Sequence, residues 1–372
     1  MIYFDNAATS LIKPKIVQYE VINAIKNLTA NPGRSGHNLS QKVALKIFET
    51  REILKDFFNA NNYEIIFTKN CTEALNLAIL GTLQRGDHVI ATCYEHNSVL
   101  RPLEELKKGG VEVTIVDCDL ENFHKEFERE IKFNTKLIVT TFISNVTGEI
   151  CDVESVNKIC KKHKILHLVD GAQACGHIEI DMEKIDADMF AFAGHKGLLS
   201  LTGVGGLFVK NLKILKPIIF GGTGTESENL IQPTDTIEGF EAGTVSSISI
   251  ISLNAGVSFL QENFSKILEK EKFLSEFLIK KLKKLDFLTV FSKETSKNVF
   301  SFNVKNIDSA TVANVLNDKF NICVRPGLHC APLIHKRNKT NEGGCVRVSL
   351  DYNNSIGEIE YLIHALKTIV NV

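Results

Sequence analysis

Lys196 closes the run Phe190-Ala191-Phe192-Ala193-Gly194-His195-Lys196. Most lysines are solvated surface residues. One that ends an apolar strand can instead present a desolvated amine of lowered pKa, able to form a Schiff base with a carbonyl and then act as a base. A second apolar run, Leu166-His167-Leu168-Val169-Asp170-Gly171-Ala172-Gln173, ends on an acid with an amide three residues later. Alone, that pair reads as a helix cap. Beside a pyridine ring the same carboxylate would keep the ring nitrogen protonated and the ring an electron sink, as pyridoxal 5'-phosphate (PLP) requires.

Other strand ends carry polar groups as well. Thr68-Lys69-Asn70-Cys71-Thr72-Glu73 follows an apolar run and opens a helical pattern, so its free N–H groups and positive dipole end suit a phosphate, with a Thr72 N-cap as the plain alternative. His96, in Tyr94-Glu95-His96-Asn97, is a flat ring that can stack on a cofactor or merely cap a helix. Asn145, in Ser144-Asn145-Val146-Thr147-Gly148, is otherwise a turn residue. In the C-terminal third, Arg347 sits in the alternating Cys345-Val346-Arg347-Val348-Ser349-Leu350, either as a surface strand residue or as a fork matching a substrate carboxylate. Cys330 lies in Arg325-Pro326-Gly327-Leu328-His329-Cys330-Ala331, where Arg325 and His329 can favour its thiolate; an unpaired cysteine is otherwise an inert packer.

The elements that must position these groups follow from periodicity. Helical spacing at Ile16, Tyr19 and Ile22, and at Val43, Ile47, Leu54 and Phe58, predicts helices over 15–30 and 40–60. Strand-like runs follow at Glu64–Thr68, His88–Thr92, Val111–Val116, Lys136–Phe142, Ile165–Asp170, Met189–Ala193 and Gly206–Val209, separated mostly by helical patterns such as 72–83, 98–109 and 152–164. That rhythm predicts an α/β fold with a mainly parallel seven-stranded sheet flanked by helices. A long helical region over 247–285 precedes Leu288–Phe291, Val299–Val304, a helix at 308–319, Ile322–Arg325, Cys345–Leu350 and a terminal helix, which reads as a smaller α+β domain. The division is 13–250 and 251–372, with 1–12 packing near the active site. Lys336–Gly344 reads as an exposed loop.

The 43 basic and 44 acidic residues nearly cancel, without basic runs interleaved with aromatics, so neither nucleic acid nor an anionic membrane is expected as partner. Nine scattered cysteines without a Cys-x-x-Cys pair indicate neither a disulfide framework nor a zinc ribbon and fit the reducing cytoplasm. No apolar run approaches the ~18 residues of a membrane span, and the first residues do not read as a signal peptide.

In this order the motifs resemble the fold-type I PLP enzymes of the class V aminotransferase group, and within it the type II cysteine desulfurases and selenocysteine lyases. The likeness runs from Tyr3-Phe4-Asp5-Asn6-Ala7-Ala8-Thr9 through Asn31–His37, Asn70–Glu73, Glu95-His96, Ser144-Asn145, Asp170–Ala174 and Gly194-His195-Lys196. It continues in Phe240-Glu241-Ala242-Gly243-Thr244, Arg325–Ala331 and Arg347. The resemblance implies that Lys196 carries the PLP Schiff base, Asp170 pairs with the ring nitrogen, Gln173 contacts the ring hydroxyl and His96 stacks on the ring. It implies phosphate contacts from Cys71, Thr72, His195 and a partner subunit's Thr244. Substrate contacts would come from Arg347, Asn145, Ala8 and a partner's His37, hence a homodimer with shared sites.

The implied reaction converts L-cysteine to L-alanine, with Lys196 as base and Cys330 taking the sulfur as a persulfide for an acceptor protein; the short Arg325–Ala331 segment points to type II. Ala193 replaces the family's usual phosphate-binding serine, Leu328 and Asn97 replace histidines, and Ser200-Leu201 replaces a Gly-Pro turn. One lost phosphate bond costs about 1 kcal/mol. Selenocysteine lyase, other C–S lyase, transaminase or kynureninase-like chemistry remain alternatives on the same scaffold. A thiol hydrolase using Cys330 with His329 or His335 leaves Lys196 and Asp170 unexplained. A non-catalytic sulfur carrier or nucleotide-binding module ranks last, because the glycines at 203–206 lack the acid a dinucleotide fold needs.

Overall fold

Seven short apolar runs between residues 64 and 209 pair into one sheet in the computed structural model, which describes residues 1–33, 36–119 and 123–370. Arg34 and Ser35 of the Asn31–His37 motif, and the last two residues of the expected C-terminal domain, lie outside that description. In chain order the first elements are β1 (Ile2–Tyr3), α1 (Lys15–Asn27), α2 (Asn38–Phe58), β2 (Glu64–Thr68), α3 (Cys71–Thr82), β3 (His88–Thr92) and α4 (Asn97–Lys108). Next come β4 (Glu112–Val116), α5 (Phe123–Glu130), β5 (Thr135–Thr141), α6 (Val153–His163), β6 (Leu166–Asp170), α7 (Met182–Ile185), β7 (Met189–Ala193) and β8 (Gly205–Val209).

The strand order is β2-β8-β7-β6-β5-β3-β4. The pairs β7–β6, β6–β5, β5–β3 and β3–β4 are parallel, and β8 runs antiparallel to both neighbours. Alternate side chains go to opposite faces of a strand, and each face has its own core. Ile65, Phe67, Ile90, Ile138, Val169, Phe190 and Phe208 pack on one side. Ile66, Val89, Leu137, Leu168, Ala191 and Leu207 pack on the other. Burial on both faces is why these strands read as continuous apolar runs. Because β2, β3, β5, β6 and β7 share a direction, their C-terminal ends lie along one edge of the sheet, where ligands bind in open α/β folds.

The remaining elements are α8 (Ser247–Leu282), β9 (Leu288–Val290), β10 (Val299–Val304), α9 (Ser309–Phe320), β11 (Ile322–Cys323), α10 (Pro332–Arg337), β12 (Val346–Ser349) and α11 (Ile356–Val370). An antiparallel sheet β12-β10-β9 and a parallel pair β1–β11 surround a further core containing Phe4, Leu278, Phe300, Phe302, Val348 and Leu362. The division expected at 250/251 falls in the first turn of α8. Its first half, through Ile251, Val257 and Leu260, packs with the large sheet, and its second, through Leu274, Leu278 and Leu282, with the small one.

The sequence reading leaves one helix unplaced and needs one loop redrawn. The connection between β4 and β5 contains α5, whose buried residues Phe123 and Phe127 offer too few apolar positions to show a period. The expected loop 336–344 is largely exposed, but it begins in the last turn of α10, buries Thr340 against His335 and ties Arg337 to Asp117 and Asp119. One apolar period is also answered differently in the two N-terminal helices. Val43, Ile47, Leu54 and Phe58 of α2 are buried, whereas Ile16, Tyr19 and Ile22 of α1 are exposed, and α1 docks through Val17 and Ala24.

Candidate active site

Five loops leave the shared edge of the sheet and enclose one cavity lined by Cys71, Thr72, His96, Ser98, Asn145, Asp170, Gln173, Ala193, His195 and Lys196. Lys196 follows β7. Its amine makes no hydrogen bond or ion pair among the described residues, and burial first, then the Arg347 and Arg325 charges, pull its pKa down while Cys71 and Asp170 oppose them. An unpaired amine of lowered pKa is what a Schiff-base nucleophile and base needs.

Asp170, the last residue of β6, is 4% exposed. Its Oδ1 accepts from the Ala172 N–H at 2.9 Å and from the Cys71 thiol at 3.6 Å, and its Oδ2 accepts no hydrogen bond among the described residues. Burial pushes the carboxyl up, opposed by the Ala172 bond, Lys196 and Cys71. A cationic ring nitrogen at Oδ2 would restore the carboxylate. Burial holds the Cys71 thiol protonated, with the Asp170 charge adding to the effect, so the sulfur acts as a donor.

His96 both caps α4, accepting from the Ser98 N–H at 3.0 Å, and faces the cavity. Burial and the charges of Lys196, Arg325, Arg347 and Arg101 lower its pKa to about 4, leaving a neutral ring. At the start of α3 the N-cap is Asn70, not Thr72: Asn70 Oδ1 accepts from the Glu73 N–H at 3.0 Å and Glu73 accepts from the Lys69 N–H at 2.6 Å. Thr72 is thereby released to bond Ser98 at 2.7 Å. Gly205 lets this turn lie against β8, since a Cβ there would sit 2.7 Å from the Cys71 nitrogen. His195 has a buried, unpartnered Nδ1, and burial with Lys196 and Lys13 lowers its pKa to about 4.

These groups fit PLP. The helix start, the Thr72 hydroxyl and the orphan His195 nitrogen suit a phosphate. The free Asp170 oxygen suits a protonated ring nitrogen, and the free Lys196 amine suits a carbonyl carbon. Ala193 contributes no hydroxyl, but Ser98, which the sequence reading passed over, lies in the same cavity. Glu95 was also missed as an individual residue. It is wholly buried, accepts from Thr92 at 2.7 Å and the Thr141 N–H at 2.9 Å, and burial lifts its pKa to about 8.

The N-terminal segment straps the site. Gln173 Nε2 donates to the Ala7 carbonyl at 3.0 Å, next to Ala8, and the hydroxyls of Thr9 and Ser10 each donate to the His195 carbonyl at 3.1 Å. Arg347 is buried, not a surface strand residue. Its Nη2 donates to Asp5 at 2.8 Å and its Nη1 to the Asn145 carbonyl at 3.1 Å, while Nε has no partner. Asn145 donates to the His329 carbonyl at 2.7 Å and the Asn97 N–H to the Cys330 carbonyl at 2.7 Å, so two active-site loops grip the Cys330 segment. Arg325 Nη2 stands 3.9 Å from the Cys330 sulfur.

The expectation that His329 helps create a positive neighbourhood is not met. Its ring turns away to the Cys345 carbonyl at 3.1 Å, and burial with the arginine charges lowers its pKa to about 2. His335 is likewise buried and bonded to Thr340, so neither histidine pairs with Cys330. His37 caps α2, accepting from the Ser40 N–H at 3.2 Å, and Thr244 lines separate clefts; neither borders the Lys196 cavity of its own chain.

A doubly wound sheet with a free lysine facing a buried acid across one cavity is the architecture of the fold-type I PLP enzymes. The chain belongs to the aminotransferase class-V family, whose model matches residues 2–362. Curated relatives similar to it over nearly its whole length include proteins named probable cysteine desulfurase. A probable cysteine desulfurase of Pyrococcus abyssi is 37% identical over 100% of this chain and 94% of its own, and one of Borreliella burgdorferi 35% identical over 100% and 92%. A solved cysteine desulfurase of Thermococcus onnurineus NA1 superposes with a TM-score of 0.92 at 35% identity, covering 100% and 94%.

Proposed function

We propose that the protein is a PLP-dependent cysteine desulfurase that converts L-cysteine to L-alanine and captures the sulfur on Cys330. One observation carries the reading: the unpaired Lys196 amine and the half-satisfied Asp170 carboxylate face one cavity, and the loop bearing Cys330 is hydrogen-bonded to two of that cavity's walls. When bound, PLP supplies an electron sink for charge developing at the substrate Cα. Lys196 would hold it covalently, Asp170 would keep its ring nitrogen protonated and His96 would cover its face. Gln173 would meet the ring hydroxyl, and Cys71, Thr72 and His195 the phosphate.

The side chains then divide the work. The Arg347 guanidinium, always charged, and Asn145 would orient the substrate carboxylate, with Ala8 at the edge of the strap. The freed Lys196 amine moves the Cα proton. The Cys330 sulfur, with Arg325 Nη2 3.9 Å away, attacks the substrate sulfur as thiolate. One S–S bond forms as one C–S bond breaks, and the carbon fragment takes up protons to become alanine. Cys330 is partly exposed beside the exposed Leu328, which suits transfer to an acceptor protein.

Two features support a homodimer with shared sites. The apolar α1 face of Ile16, Tyr19 and Ile22 is 42–65% exposed, and Thr244 and His37 stand outside the cavity they would serve. Nine free thiols suit a reducing cytoplasm.

Purified protein incubated with L-cysteine should release alanine and leave one extra sulfur on Cys330 by mass spectrometry, and a parallel incubation with L-selenocysteine is read for alanine and selenide. Alanine from neither substrate would end the lyase assignment. Unimpaired alanine production by Cys330→Ser would end the persulfide route.

A further inference from the structure

Directly behind Cys330, three side chains converge that the proposed reaction does not use. His329 precedes Cys330, His335 lies in α10, and Cys345 immediately precedes β12. Gly327 and Cys345 exchange backbone hydrogen bonds at 3.1 and 3.2 Å, which brings the two loops together. One donor atom from each of the three side chains lies within 4.8 Å of the others, and all three are almost wholly buried, at 3%, 0% and 1% exposure.

We infer that His329, His335 and Cys345 form a binding site for a divalent d-block ion of the zinc type. Cys345 Sγ lies 3.5 Å from His329 Nε2, so the thiol already meets this ring. Each histidine has one ring nitrogen engaged, His329 Nε2 at the Cys345 carbonyl (3.1 Å) and His335 Nδ1 at the Thr340 hydroxyl (2.8 Å). Its other ring nitrogen, Nδ1 of His329 and Nε2 of His335, is buried without a partner. The Leu328 carbonyl lies near the His335 ring but makes no hydrogen bond with it. One nitrogen fixed by an acceptor and the other left bare is how metal-ligating histidines are arranged, and buried polar atoms otherwise find partners.

Metal binding would release the Cys345 thiol proton. Three protein ligands leave a fourth position for water or a small anion.

Ligation would also brace the sulfur-carrying loop. His329 and Cys330 both adopt left-handed backbone, at φ +47° and +58°, which non-glycine residues seldom hold unless their surroundings fix them. A metal on the His329 ring fixes the first of the pair and so the peptide entering Cys330. This role as an anchor is independent of the cofactor and of which substrate the enzyme takes.

The full-length holoenzyme, grown with zinc and dialysed free of loose metal, should retain about one zinc per chain by elemental analysis. Cys345→Ser and His335→Gln should each retain less than about a tenth of that, with circular dichroism confirming their fold. Cobalt(II) exchanged into the unaltered protein should give tetrahedral d–d bands and a thiolate charge-transfer band, read as a difference against the zinc form so that the PLP absorbance cancels. These readouts stand whether or not cysteine is the substrate. Metal-free protein after zinc exposure, equal zinc in either variant, or cobalt spectra without the thiolate band would each overturn the site.

Discussion

Lys196 and Asp170 hold their functional states for opposite reasons. Burial removes water that would stabilise charge on either, so the lysine tends toward neutral amine and the acid toward neutral carboxyl, and each is partly corrected by the other. A neutral lysine suits the nucleophile, but a neutral Asp170 does not suit an electron sink until a cation arrives at its free oxygen. Lys196→Ala should therefore abolish the visible Schiff-base absorbance and lower alanine formation by about 10²–10⁴-fold or more. Asp170→Asn should still admit the cofactor, with the absorbance retained and turnover reduced by a comparable factor. An Asp170→Asn enzyme with unchanged turnover would refute the role of the carboxylate, and titrating absorbance beside activity separates binding from chemistry. Lys196 was legible because it closes an apolar strand, and Asp170 because it closes the neighbouring one. The Asp5–Arg347 bond was not, since strand periodicity carries no record of a partner 342 positions away.

At the scale of elements, the lysine loop is held by what packs behind it. A Cβ on Gly197 would lie 2.2 Å from the Cys175 carbonyl and 2.9 Å from the His177 ring. Gly197→Ala must therefore push the residue after Lys196 away from its support, and we expect a loss of about 1–3 kcal/mol in chemical denaturation together with weakened cofactor retention. The His177 behind it pairs at 3.1 Å with Glu271 of α8, which also bonds Asn298 ahead of β10, so one cluster ties the lysine loop to both sheets. Burial alone would lower His177, but Glu271, with Asp351 adding, raises it above the usual histidine value, while Lys196 opposes. A raised folded-state pKa gives stability that is complete below about 6.5, the unfolded value, and is lost as pH rises through the folded value. The melting temperature should decline from near neutrality upward, and Glu271→Gln should flatten that decline. Asp351, lifted to about 6 mainly by burial, acts in a lower window, between its unfolded value near ~4 and 6, so the two contributions can be told apart. The sequence located the strands on both sides of this cluster, because strands buried on both faces leave short continuous apolar runs. It missed α5, with two buried phenylalanines in eight residues, and it missed the cluster itself, whose members are polar and scattered over more than a hundred positions.

For the whole molecule, the helical period of α1 is the most informative mismatch. Ile16, Tyr19 and Ile22 are spaced as a core face, yet Tyr19 is 65% and Ile22 54% exposed, with Leu45 and Phe48 of α2 also more than half exposed. Monomeric proteins seldom expose contiguous apolar faces of this kind, and symmetric association of identical chains is the commonest way to cover one. The same association would account for Thr244 and His37, which reach no cofactor contact within their own chain. If the sites are shared, breaking the interface must cost more than size. Tyr19→Glu combined with Phe48→Glu should convert a particle of two chains into one of a single chain by light scattering, and the monomer should hold PLP weakly because a phosphate contact has left with its partner. A stronger test mixes two inactive proteins, Lys196→Ala and Thr244→Ala with His37→Ala, under conditions of subunit exchange. In a mixed dimer one of the two sites combines an intact Lys196 with intact Thr244 and His37 from the other chain, so activity should return toward about half per dimer. No recovery in mixtures shown to have exchanged would place each complete site within one chain.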